Sequence, residues 1–208
     1  MKKLILILLC SVTINMYGQE RIILLNEGNW QSDNGKISYF EDDRIVSNQW
    51  FRDVNKRKLG DTPNDIIQIN NNLIAITVNW SNIIQFISPD GRRVAETEDV
   101  PNNRKMATDG KFVYVSSYGH ECGTVDGYVS FTRGYVAKID VSTFQVVATC
   151  EVGYEPEGIM INSDTNWRTD FIMTAIVFTN IARIFQFDAP NSHFAQLCNN
   201  IIRNIQQF

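Results

Sequence analysis

Short apolar runs alternate with turn-forming residues along most of this chain. The runs are "RIILLN" (21–26), "KISYF" (36–40), "LIAITV" (73–78), "NIIQFI" (82–87), "KFVYVS" (111–116), "YVAKID" (135–140) and "QVVATC" (145–150). They are rich in β-branched and aromatic residues, and several alternate apolar with polar positions, which favours strands over helices. Asn71-Asn72, Pro89-Asp90-Gly91 and Asp109-Gly110 lie between them and mark tight turns. The two ends differ from this pattern. Lys2 and Lys3 precede an unbroken apolar stretch from Leu4 to Leu9. From Ser192 onward, Phe194, Leu197, Ile201, Ile202, Ile205 and Phe208 fall on one side of a helix, which Ser192 would cap.

The strands recur as a unit. Laying Pro63 over Pro101 sets "PNDIIQINNNLIAITVNW" (63–80) over "PNNRKMATDGKFVYVSSY" (101–118) without a gap. Further along, Phe86 falls on Ile139 and Val94 on Val147. Each unit then holds four strands. The first has them near Asp65–Ile69, Leu73–Val78, Asn82–Ile87 and Arg92–Glu98, the second near Arg104–Ala107, Lys111–Ser116, Tyr135–Asp140 and Gln145–Glu151. A four-stranded unit recurring at roughly 40 residues is the pattern of a β-propeller blade. An earlier blade lacking its first strand reads from "RIILLNEG", "GKISYF" and "RIVSNQWF". The second complete unit carries an insertion, "YGHECGTVDGYVSFTRG" (118–134), whose glycines mark a loop with a small hairpin through "GYVSF". The expected fold is all-β: a partial β-propeller of four-stranded antiparallel blades, followed by a non-propeller, partly helical tail.

The pattern divides the chain into a signal peptide (1–19), about two and a half blades (20–161) and an anomalous tail (162–208). After Ile161 the repeat is lost at Trp167-Arg168-Thr169-Asp170, and "FIMTAIVF" reads as either a strand or a buried helix. Three explanations are open: a truncated or frameshifted product, an oligomer that completes the ring, or an open partial propeller capped by the helix. The leading segment predicts an exported protein. It is too short and too early interrupted, at Asn15, to span a membrane, and Cys10 leaves a lipoprotein as a second option.

Composition narrows the function. Of 208 residues 44% are hydrophobic and 20% charged, and the net charge of −4 offers no nucleic-acid surface. Three cysteines remain after the leader: Cys122, Cys150 and Cys198. In an oxidising compartment Cys122 and Cys150 form the candidate disulfide. No nucleotide-binding motif or nucleophile elbow occurs. His120 and Cys122, with Asp126, have the residue types for zinc, but a structural site needs four ligands and the other histidine, His193, sits in the tail. No cofactor and no metal site is expected.

"LLNEGNW", "GKISYFEDD", "KLGDTPNDI", "KFVYVSSYG" and "GYVAKIDVSTFQVVATCEVGYEPEGI", in this order, resemble the YncE-like exported β-propeller proteins, especially their surface-associated branch. The likeness covers about residues 20–161. It implies a seven-bladed type of fold, a place in the periplasm or on the outer-membrane surface of a Gram-negative bacterium, and a binding or scaffolding role in the envelope. It implies no catalytic residues.

Strands of a blade alternate in direction, so the starts of first strands and the loops after second strands share one face. That face would collect Glu27, Asn29, Trp30, Asn64, Asp65, Asn79, Trp80, Asn102, Arg104, Tyr118, His120 and Glu157. Rings beside amides and carboxylates suit a glycan, a peptide or an envelope protein as partner. Trp30 and Trp80 equally suit packing between blades, and Asn and Asp are ordinary turn residues. The leading expectation is a non-enzymatic exported binding or scaffold module. The alternatives are a hydrolase or lyase using a divalent cation on Glu27, Asp65 and Glu157, and an inactive fragment of a longer propeller.

Overall fold

The computed structural model describes residues 21–42 and 44–162, together with the backbone of strands Ile172–Val177 and Ala182–Gln186. The leader, the Trp167 break and the tail helix lie outside the described residues. Three strands come first, β1 (Arg21–Asn26), β2 (Lys36–Glu41) and β3 (Arg44–Ser47), followed by helix α1 (Trp50–Asn55). A four-stranded sheet follows: β4 (Pro63–Asn70), β5 (Leu73–Val78), β6 (Ile83–Ile87) and β7 (Arg93–Thr97). The next comprises β8 (Asn103–Thr108), β9 (Phe112–Ser117), β12 (Tyr135–Asp140) and β13 (Gln145–Glu151). Between β9 and β12 the chain makes a separate hairpin, β10 (Glu121–Val125) and β11 (Tyr128–Phe131). Strands β14 (Pro156–Asn162), β15 (Ile172–Val177) and β16 (Ala182–Gln186) form a last sheet in the same order. The run read as strand or helix is therefore a strand. All strand pairings are antiparallel.

Consecutive sheets lie face to face with a core between them. On β5, Ile74, Ile76 and Val78 enter a core shared with Ile37, Tyr39, Trp50, Phe51 and Leu59. The intervening Leu73 and Ala75 enter the next core, with Ile84, Phe86, Met106, Val113, Val115, Ala137 and Ile139. On β9, Val113 and Val115 face this second core, while Tyr114 faces a third with Val136 and Val152. Side chains alternate along a strand, so a sheet buried on both faces shows a continuous apolar run. This is why "LIAITV" is buried throughout.

The repeat register differs from the gapless alignment. Pro63 lies opposite Val78, whereas it is Asn103, not Pro101, that lies opposite Ser117; Pro156 lies opposite Val177. Pro63, Asn103 and Pro156 are thus the matching first residues, and Leu73 matches Phe112 rather than Lys111. The cause is local: β4 has register shifts at both Pro63/Asp65 and Gln68/Asn70, while β8 has one, between Asn103 and Met106. Each bulge displaces an alignment by one residue without changing the strand count.

Helix α1 replaces the end of the expected strand "RIVSNQWF". Trp50 and Phe51 are both buried, and adjacent strand residues would point to opposite faces. A helical turn lets both reach the same core. Trp50 stacks on Tyr39 with ring centroids 4.6 Å apart and covers Gly91, where a Cβ would lie 2.7 Å from the indole. Asn55 ties the helix to that turn, donating to Gly91 O at 2.8 Å and accepting from Arg93 N at 2.8 Å. Lys56, in the left-handed region at φ 55, ends the helix.

Phe86 is fully buried and packs against Phe144 at 4.8 Å between centroids. Phe86→Ala is expected to cost about 3–5 kcal/mol, read as a lower urea midpoint with an unchanged slope.

Candidate functional site

The first strands β4, β8 and β14 approach one another through side-chain bonds rather than a ladder. Thr77 Oγ1 donates to Arg104 O at 3.0 Å, and the matching Ser116 Oγ donates to Glu157 O at 3.0 Å. Asp65 Oδ2 accepts from Met106 N at 2.8 Å, and Lys105 Nζ donates to Asn64 O at 3.1 Å. Asn64, Arg104 and Glu157 therefore occupy one equivalent position on three successive first strands, each the second residue of its strand.

Side chains link this row into a polar array. Asn64 Nδ2 donates to Glu27 Oε1 at 2.9 Å. Arg104 donates to Glu157 Oε1 from Nε at 2.9 Å and from Nη2 at 2.7 Å. The guanidinium lies 4.9 Å from the centre of the Tyr118 ring, and the Tyr118 hydroxyl donates to the same Glu157 oxygen. Burial pushes the Tyr118 pKa well above the ordinary tyrosine value, and its hydrogen bond to Glu157 pushes it further. Burial works against the Arg104 charge, but Glu157 outweighs it and the net shift is upward; Glu27 adds to this from the other side.

The residues expected on one face meet in several separate groups. Trp30 and Trp80 meet edge to face at 5.1 Å, with Trp30 56% exposed. His120 and Asn102 meet Trp80 around a cleft. Asn29 lines a second hollow of about 820 Å³ between loop 27–35 and α1, with Glu27, Lys36, Arg52 and Lys58. Asn79 is buried in a structural role, donating to Asn103 O at 2.8 Å. Asn102 is pinned as well, donating to Gly119 O at 2.9 Å. Asp65 is turned to the β8 backbone. The cleft also brings in Asn82, which the sequence offers only as an ordinary residue of the "NWSN" turn, and Glu121, which lies between His120 and Cys122 and outside the expected face.

The Cys122–Cys150 disulfide is not formed. Both are free thiols. Cys122 lies on the exposed hairpin with Sγ 3.5 Å from Ser130 Oγ, and Cys150 lies on β13 opposite Val136. Among the described residues no three His, Cys, Asp or Glu side chains are grouped to hold a metal ion. No helix among them is long and apolar enough to cross a membrane.

No protein-family profile and no curated protein matches the chain. Solved structures do. A functionally unknown protein from Desulfotomaculum acetoxidans DSM 771 superimposes with a TM-score of 0.51 at 16% identity, over 75% of this chain and 45% of that one. The likeness is one of fold alone. Hydrazine synthase from Kuenenia stuttgartiensis gives a TM-score of 0.49 at 14% identity, over 83% of this chain and 52% of that one. The chain thus spans about half the length of the structures it matches.

Tyr118 should ionise above the usual tyrosine range of about pH 10, visible as a delayed phenolate absorbance. Glu157→Gln is expected to lower that titration partway, leaving the contribution of burial. Because the folded pKa is raised, the associated stability is full below the unfolded value and is lost as pH rises through the folded one.

Proposed function

We propose that the four-stranded units are consecutive blades of a β-propeller, and that the protein is a non-enzymatic binding module of the bacterial envelope. The equivalent placement of Asn64, Arg104 and Glu157 on neighbouring first strands supports the blade reading. Face-to-face stacking of the sheets supports it too. The envelope location rests on the positively charged, apolar leading segment, which predicts export, together with the resemblance to exported β-propeller proteins.

The observation that carries the binding role is the Trp30–Trp80 pair. An indole 56% exposed yet fixed edge-on against a second indole is a preorganised contact surface. It stands at the same end as the Glu27–Asn64 and Arg104–Glu157 pairs, which fix the surrounding strand ends. A cation-dependent hydrolase or lyase is less well supported. Glu27, Asp65 and Glu157 already accept hydrogen bonds from Asn64, Met106 N, and Arg104 with Tyr118 respectively. A bound ion would have to displace these donors.

Glycan and peptide arrays probed with the full chain test this reading. Trp30→Ala is expected to weaken whichever ligand is retained by about tenfold, the scale of one well-packed aromatic contact. Its far-UV spectrum and melting midpoint should match the parent chain. No retained ligand on either array, or undiminished affinity in the variant, would overturn it. A rise in melting midpoint with calcium or magnesium would move support to the cation-dependent enzyme.

A further inference from the structure

The insertion between β9 and β12 builds one wall of a cleft that the first complete unit completes. The cleft holds about 400 Å³ and is lined by Trp80, Asn82, Pro101, Asn102, His120 and Glu121. That volume falls within the range of small-ligand sites, about 300–1,000 Å³. Its floor is rigid. Asn102 N donates to Asn82 Oδ1 at 3.0 Å, Asn102 Nδ2 to Gly119 O at 2.9 Å, and Tyr118 N to Asn102 O at 3.1 Å. Both asparagines adopt left-handed backbones, at φ 59 for Asn82 and φ 46 for Asn102, a region that asparagine tolerates better than most residues. The hairpin wall is held where it leaves the sheet: His120 N donates to Thr132 Oγ1 at 2.9 Å, and Thr132 N returns to His120 O at 2.8 Å.

Against this fixed frame stand groups with unused hydrogen-bonding capacity. Trp80 Nε1, Asn82 Nδ2, Asn102 Oδ1, the His120 ring and the Glu121 carboxylate make no hydrogen bond among the described residues. They comprise donors and acceptors around the Trp80 indole, with Pro101 as the one aliphatic side chain lining the cleft. A peptide side chain would bring few hydroxyls to meet them. A sugar ring brings both halves of the match, since its C–H face covers an indole and its hydroxyls donate and accept around the rim. The Glu121 carboxylate works against an acidic sugar and accepts from a hydroxyl.

We infer that the Trp80–His120 cleft is a subsite for a neutral hexopyranose residue of an oligosaccharide. It rests on the binding-module reading and names the ligand class for one part of that loop end. The sugar lies against Trp80, one hydroxyl donates to Glu121, and Asn82 Nδ2 donates to another oxygen. The hairpin, by carrying His120 and Glu121, determines which sugars fit.

The test uses the full chain and soluble neutral oligosaccharides of glucose, mannose, galactose and N-acetylglucosamine, followed by calorimetry. At least one hexose series is expected to bind, with Trp80→Ala lowering affinity tenfold or more. Glu121→Ala, on an exposed strand where folding is not at issue, is expected to lower it at least threefold. Competition by the matching uronic acid should be weaker than by the neutral sugar. Hexose binding that survives both substitutions would overturn the subsite, as would a complete lack of binding by the neutral hexose series. A peptide ligand lost in Trp30→Ala but untouched in Glu121→Ala would overturn the subsite and leave the binding-module reading standing. A chain that retains neither sugars nor peptides would overturn both.

Discussion

The middle strands β5 and β9 bury side chains on both faces, and every other part of the fold answers to that. A sheet so buried needs a neighbour on either side. The sheet β4–β7 has α1 and β2 on one face and the sheet of β8, β9, β12 and β13 on the other, with cores filling both gaps. Where the sheets come closest, at the first strands, the backbones are joined by Thr77 and Ser116, each donating to its neighbour's carbonyl. These hydroxyls stand at the same position in successive sheets. Small polar side chains are required there because a larger apolar one would separate the first strands and leave carbonyls without donors.

That contact also places the polar row. Once Arg104 O and Glu157 O are held by the preceding sheet, the side chains of Arg104 and Glu157 come side by side, and Tyr118 closes over them. The ion pair is partly buried, with about a quarter or less of each side chain exposed, so it is screened less than a surface pair. Its main effect is orientation: two guanidinium N–H groups converge on Glu157 Oε1, the same oxygen that accepts from the Tyr118 hydroxyl.

Much of this was legible in the sequence, and the limits were physical. Strand number and order could be read because the turns at Asn71-Asn72, Pro89-Asp90-Gly91 and Asp109-Gly110 separate apolar runs of strand length. Register could not, since the bulges in β4 and β8 shift it by a residue and leave no compositional mark. The proline at 101 drew the alignment toward itself, although Asn103 occupies the matching strand position. Helix α1 was missed because "RIVSNQWF" has strand-like residues; only the shared burial of Trp50 and Phe51 reveals the turn. Strand direction alone groups Glu27 with Asn64, Trp30 with Trp80, and Arg104 with Glu157, and these pairs are in contact. Asn79 and Asn102 look alike in the sequence, yet Asn79 is wholly given to backbone carbonyl support while Asn102 also meets the cleft. That distinction depends on which carbonyls come within reach, and no local pattern carries it.

The β10–β11 hairpin contributes nothing to the three cores and is exposed almost throughout. Apart from Phe131, whose ring meets Tyr118 edge to face at 5.2 Å, its side chains can vary at little cost to folding, while Trp80 on the opposite bank is held by its backbone N–H to Asp61 O. One bank is permanent and the other is replaceable. On the proposed binding role, exchanging this single appendage would change the ligand and leave the architecture beneath it untouched.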